Sequence, residues 1–233
     1  MANRQIHVFS PSAMHSSLEA LAATHRAQSG GEVALAFETA PAFLKRLEDG
    51  QPADVLIAPP SLMNQLVTLG KAQPDRKLEL GRVGAGVAVR KGAPLPDISS
   101  TEALVRALRG AESIVYNRAS SGMYVEKLIE KLGLAEALAA KTTRYHDAQG
   151  AFTHMLEGRG DEIGFGGLTE IVRWRDKGLV LVGPLPADIQ NFTLYLAALA
   201  TAAPNEAGGR AFLEFLGSPE ARAILTDCGV LVP

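Results

Sequence analysis

The residues best suited to chemistry lie together in Asn117-Arg-Ala-Ser-Ser-Gly122, between Ile114-Val-Tyr116 and the later apolar positions Val125, Leu128, Ile129 and Leu132. The β-branched and aromatic run reads as a buried strand, and the later positions fall at helical spacing. Ser120 or Ser121 can cap that helix, whose first-turn amides point back into the loop. Free N–H donors, two hydroxyls and the Arg118 guanidinium together suit an anion. Taken alone, the same residues also make an ordinary strand-to-helix turn.

Other chemistries find less support. The titratable groups in or beside polar loops are His15, Glu38 and His146, none with an evident orienting partner in sequence. No histidine pair has the i,i+4 spacing of a catalytic zinc site, so no metal is expected. G-x-S-x-G and the phosphate-binding G-x-x-x-x-G-K-[ST] pattern do not occur, and no cofactor is implied. Cys228, in the apolar tail Ile224 to Val232, reads as a small buried side chain rather than a nucleophile.

Composition narrows the class further. The chain has 233 residues, 47% hydrophobic and 21% charged, which is a globular protein with ample core in one large or two modest domains. A formal net charge of −2 leaves no overall basic surface for nucleic acid or acidic lipid. No apolar stretch reaches the ~18 residues of a membrane span. Met1 to Gln5 lead straight into a strand without a visible signal peptide. Either the protein is cytoplasmic or the chain begins after a removed leader.

The elements that must position these residues alternate. Ile6 to Phe9 reads as a strand and is followed by Ser10-Pro-Ser-Ala13, with Ser12 as the natural cap of a helix through Met14, Leu18 and Leu21. Val33 to Phe37, then Thr39-Ala-Pro41 and a helix through Phe43 and Leu47, repeat the pattern. Asp54 to Ala58 and a helix through Met63 and Leu66 repeat it again. Three alternations with short connections indicate a parallel, doubly wound sheet. The second half reads the same way around Ile114–Asn117, Thr142–Tyr145 and Glu162–Phe165, with polar loops at His146–Gly150 and at Gly166-Gly167. Gln149 and Gly150 read as loop residues before a helix start.

Two long extended passages, 83–90 and 192–200, read as crossings between two α/β lobes. The first lobe is discontinuous, 1–82 plus 201–233, and the second is 91–191. In open α/β sheets ligands gather at the carboxyl ends of strands. The expected site is therefore a cleft between lobes that hinge closure would shut.

Several stretches taken together resemble one family. They are Val8-Phe-Ser-Pro-Ser-Ala-Met14, Gly50-Gln-Pro-Ala-Asp-Val-Leu-Ile-Ala58, Ser121-Gly-Met-Tyr124, Asp161-Glu-Ile-Gly164 and Phe215-Leu-Gly-Ser-Pro-Glu-Ala-Arg222 with Cys228-Gly229. Their order and spacing over nearly the full length resemble the type II periplasmic binding proteins of the molybdate-binding (ModA-like) group, including its aconitate-isomerase-like branch. The resemblance implies two α/β lobes with a two-strand hinge, a small anionic ligand, a partner ABC transporter permease and an exported, periplasmic protein. A monomer is expected.

The ligand chemistry that the resemblance implies does not carry over intact. Molybdate-binding members hold the oxyanion with a serine in the first loop, a serine in the second and a tyrosine from the second lobe. On the same frame these fall on Ala13, Ala40 and Gly167, with Ser12 and Thr39 each one residue earlier. Two hydroxyls and a ring are missing, while Arg118 offers a fork that matches a carboxylate. A di- or tricarboxylate such as citrate or aconitate is therefore expected over molybdate or tungstate.

The candidate ligand-binding set is Ser10, Ser12, Ala13, Thr39, Ala40, Asn117, Arg118, Ser120, Ser121, Tyr124, Gln149 and Gly167. Two readings stay open. One is a solute-binding protein for a small carboxylate, favoured by fold frequency. The other is an aconitate-isomerase-type enzyme, in which Glu38, His15 or His146 would move a proton across an allylic system.

Overall fold

The computed structural model describes residues 5–118, 120–158 and 160–233, with Ser120 described by its backbone alone. The chain divides into two compact units, Met1–Val83 with Thr193–Pro233, and Gly84–Phe192.

The first unit opens with β1 (Ile6–Ser10), α1 (His15–Ser29), β2 (Val33–Phe37), α2 (Ala40–Glu48), β3 (Val55–Ala58) and α3 (Pro60–Thr68). β1 pairs in parallel with β2 on one side and β3 on the other. Alternation along β1 then decides the packing. Ile6 and Val8 face a core shared with Leu18 and Leu21 of α1, while Phe9 turns to the opposite face and meets Phe43 and Leu47 of α2. Burial on both faces is why apolar residues stand on both sides of this strand. Asp54 is fully buried beside it, its carboxylate accepting the His7 N–H at 2.8 Å and the Asn205 N–H at 2.6 Å.

The chain passes into the second unit within β4 (Leu78–Arg90). There follow α4 (Thr101–Gly110), β5 (Ser113–Asn117), α5 (Ser120–Lys131), α6 (Ala135–Ala139), β6 (Thr142–Tyr145), α7 (Ala148–Glu157), β7 (Glu162–Gly167), α8 (Leu168–Arg173) and β8 (Leu179–Pro184). β5 is flanked by β6 and β7, both parallel to it. Ile114 and Tyr116 face α4 and α5, and Val115 faces Phe152 and Met155 of α7. The chain returns through β9 (Phe192–Leu199) and closes the first unit with α9 (Glu206–Leu216) and α10 (Pro219–Asp227).

Both sheets are mixed rather than purely parallel. β9 runs antiparallel to β3, and β4 runs antiparallel to both β7 and β8. Each β–α alternation supplies a parallel strand, whereas β9 and β4 enter from the other unit in the reverse sense.

Three local expectations are corrected. Ser12 does not cap α1: it opens a single 3-10 turn, Ser12–Met14, and α1 starts at His15 with Met14 at its cap position. Met14 is fully buried, and anchoring it in the core pulls the chain through the extra turn. Ser120 and Ser121 lie inside the first turn of α5 rather than before it. Gln149 and Gly150 belong to α7, because Asp147 is the cap, its Oδ1 accepting the Gly150 N–H at 2.8 Å. Among the described residues no helix is long and apolar enough to cross a membrane.

Candidate functional site

The first unit brings two strand-end loops together. The Glu38 N–H donates to the Ser10 carbonyl at 3.0 Å, which ties the loop after β2 to the loop after β1. Ser10 is fully buried and its hydroxyl donates to the Pro11 carbonyl at 3.2 Å, so it shapes the loop rather than facing a ligand. Ser12 is exposed, and Ala13 packs against the core. Thr39 is the cap residue of α2 with φ −73° and ψ 157°, yet its hydroxyl makes no capping bond. Thr39 therefore leaves the first-turn amides of Ala40 and Ala42 uncapped by its side chain, and Pro41 has no N–H to satisfy. Ala40 itself is exposed.

Two of the titratable candidates sit here, and they differ. Glu38 is held by Arg46, Oε1 to Nη1 at 3.0 Å, and the Arg46 guanidinium lies 5.3 Å from the centre of the Phe9 ring. His15, first residue of α1, has Nδ1 3.3 Å from Glu19 Oε2, and its ring packs on Phe37 with centroids 4.1 Å apart. The Glu19 partner was legible as an i,i+4 spacing, which corrects the reading that His15 lacks an orienting group.

In the second unit the parallel ends of β5, β6 and β7 carry the other candidates. Asn117 is fully buried at the end of β5. The Arg118 N–H donates to the Tyr145 carbonyl at 2.8 Å, while the side chain is exposed and has no ion-pair partner among the described residues. A Cβ on Gly122 would sit 1.6 Å from the Asn117 carbonyl oxygen, so only glycine lets the first turn of α5 press onto the strand end. Ser121 is half-buried in that turn. The Ser120 side chain lies outside the described residues.

Four candidates are drawn elsewhere. The Tyr124 hydroxyl donates to the Ile189 carbonyl at 2.6 Å, and burial pushes the phenol pKa up. Packing against the second unit's core thus spends the group that would have reached a ligand. Gln149 is exposed and lines a cavity of ≈ 490 Å³ with Tyr145, Asp147 and His154. His146 is 99% exposed, and the contact given for its ring is a long one, 3.8 Å to the exposed Asp147. The Gly167 N–H donates to Glu170 Oε2 at 3.3 Å, so that amide is already paired within its own turn.

Glu170 is a residue that the sequence reading left outside its candidate ligand-binding set. Burial pushes its carboxyl pKa up, opposed by the Gly167 amide and by Arg173. The available signal was its place three residues after a strand-ending glycine, the spacing of a capping glutamate. Among the described residues no cluster of His, Cys, Asp and Glu could hold a metal ion.

Comparison with known proteins extends this geometry. The family model described as "Bacterial extracellular solute-binding protein" matches residues 6–231. An aconitate isomerase from Pseudomonas sp is 31% identical over 194 residues, 83% of this chain and 72% of the relative. The molybdate-binding protein ModA of Escherichia coli (strain K12) is 23% identical, over 98% of this chain and 89% of its own. The solved periplasmic molybdate-binding protein of Azotobacter vinelandii shares the fold with a TM-score of 0.72 at 19% identity, covering 98% of this chain and 99% of that one.

Proposed function

This chain belongs to the bacterial extracellular solute-binding proteins, and on that premise we propose that it binds an aconitate-class tricarboxylate and interconverts its cis and trans forms. The observation that carries the ligand class is Arg118. It is an exposed guanidinium with no ion-pair partner among the described residues, set between the end of β5 and the start of α5. A guanidinium fork matches a carboxylate in a way that a cage of neutral donors for a tetraoxyanion does not need. Ser121, three residues later, lies in the first turn of α5. The alanines at 13 and 40 and the glycine at 167 leave room and remove hydroxyls where the resemblance puts molybdate donors.

Turnover is supported by the 31% identity to an aconitate isomerase, against 23% to a molybdate-binding protein. Interconversion is an allylic proton shift and asks for a side chain that can take and return a proton. A second reading, capture of the same tricarboxylate for an ABC transporter in the periplasm without turnover, is favoured by the family itself.

One assay separates them. The protein is incubated with trans-aconitate and the products are resolved by chromatography, with calorimetric titration of trans-aconitate, citrate and molybdate in parallel. Appearance of cis-aconitate supports the enzyme. Saturable binding without product leaves the transport reading standing alone. Tight molybdate binding with no response to the tricarboxylates overturns the ligand class.

A further inference from the structure

We infer that Glu170 is the proton carrier of this isomerisation, an assignment that rests on the aconitate reading above. Its carboxylate accepts the Gly167 N–H at 3.3 Å, which folds it back over the carboxyl end of β7. β7 is parallel to β5, with Val115 level with Gly164, so both strands finish on one edge of the sheet. β6 finishes there too, Asn117 lying level with Tyr145. Glu170 therefore shares the strand-end edge that carries Arg118 and Ser121, all within one unit.

The other carboxylates and imidazoles are placed less well. Glu38 is committed to Arg46, and His146 is almost fully exposed. Glu162 is buried, but it begins β7 and so lies at the opposite end of the strand. The charged groups that influence Glu170 are Asp147, the cap of α7, and Arg173 of its own helix. Burial is the largest influence and raises the carboxyl pKa; Asp147 acts in the same direction, and the Gly167 amide and Arg173 oppose it. A carboxylate in such surroundings is a stronger base than an exposed one and closer to the poise that reversible proton transfer requires.

The step balances on this one group. The Glu170 carboxylate takes a proton from the methylene of the bound tricarboxylate, and the C–H electron pair becomes a new C=C bond. The electron pair of the former C=C bond takes the proton back from Glu170 at the far allylic carbon. The carboxylate is regenerated, and no oxidant, reductant or cofactor is consumed.

The test compares wild type, Glu170→Gln, Glu170→Asp and His15→Gln in turnover of trans-aconitate and in its calorimetric binding. Glutamine keeps an acceptor for the Gly167 N–H, so the turn is retained. Glu170→Gln should lose at least about 100-fold in kcat while its Kd stays within about threefold of wild type. Wild-type kcat should fall as pH drops through the Glu170 pKa, and Glu170→Asp should move that limb. Near-normal turnover by Glu170→Gln overturns the assignment, and a loss confined to His15→Gln transfers the role to His15. Wild type that binds trans-aconitate without turnover overturns the enzyme reading itself, and the assignment with it.

Discussion

Replacing Arg118 by alanine should weaken ligand binding without weakening the fold, and the structure sets both magnitudes. In the folded protein the side chain is exposed and unpaired among the described residues, and the one contact described for the residue is its backbone N–H to the Tyr145 carbonyl at 2.8 Å, which alanine keeps. Such a surface change alters folding by no more than ~0.5 kcal/mol. A hydrogen bond to a charged group contributes about 1.5–3 kcal/mol when the ligand is bound. At about 1.4 kcal/mol per decade, that is roughly a 10- to 140-fold rise in Kd. Arg118→Lys retains the charge but not the fork and should fall between. The assay is calorimetric titration of trans-aconitate at low and at ~0.15 M salt, with thermal unfolding of the same samples, because screening separates charge from fork geometry. An unchanged Kd for Arg118→Ala, at either salt, removes Arg118 from the site and with it the argument for a carboxylate.

Three further outcomes follow from particular contacts. Gly122→Ala places a Cβ 1.6 Å from a backbone oxygen that cannot swing away, so α5 must shift; chemical denaturation should show a loss of ~1–3 kcal/mol, and trans-aconitate affinity should fall with it. Tyr124→Phe leaves the Ile189 carbonyl without its 2.6 Å donor and should cost ~1 kcal/mol of stability while leaving Kd unchanged; a Kd at least about tenfold weaker would return Tyr124 to the ligand site. His25 is 6% exposed between Phe212 and Phe215, and burial lowers its pKa. The unfolded state therefore binds more protons as pH falls below the ordinary histidine value, and stability drops through that window toward the depressed folded pKa. His25→Gln should flatten the dependence of Tm on pH there, and an unaltered slope would place the proton uptake elsewhere.

The local signals carried far in this chain because they are strong ones. Ile6, Val8 and Phe9, then Val55 to Ala58, and Ile114 to Tyr116, are apolar on both faces, which only a covered strand explains. Glycines such as Gly30, with φ +70°, and Gly133, with φ +67°, stand where helices stop, and each has the conformation that glycine adopts without strain. The strand–helix alternation, and an arginine just past the end of β5, follow from spacing that a local reading detects. The error at Ser12 arose from the same kind of reading. A serine before an apolar helix reads as a cap, yet burial of Met14 is worth more than a capping bond and moved the helix start.

What the sequence determined by itself is the α/β alternation, the strand-end loops and the chemical type of group each loop carries, because periodicity and capping are local properties of the chain. Only the tertiary structure decided which of those groups remain available. Tyr124 is spent on Ile189, Glu38 on Arg46 and the Gly167 amide on Glu170. Two of those partners are fixed by packing rather than by motif: Ile189 lies 65 positions from Tyr124 in the chain, and Arg46 lies within α2, while Glu38 precedes that helix. Arg118 and Glu170 likewise share one edge of the sheet because β5 and β7 run parallel, a relation no local pattern contains.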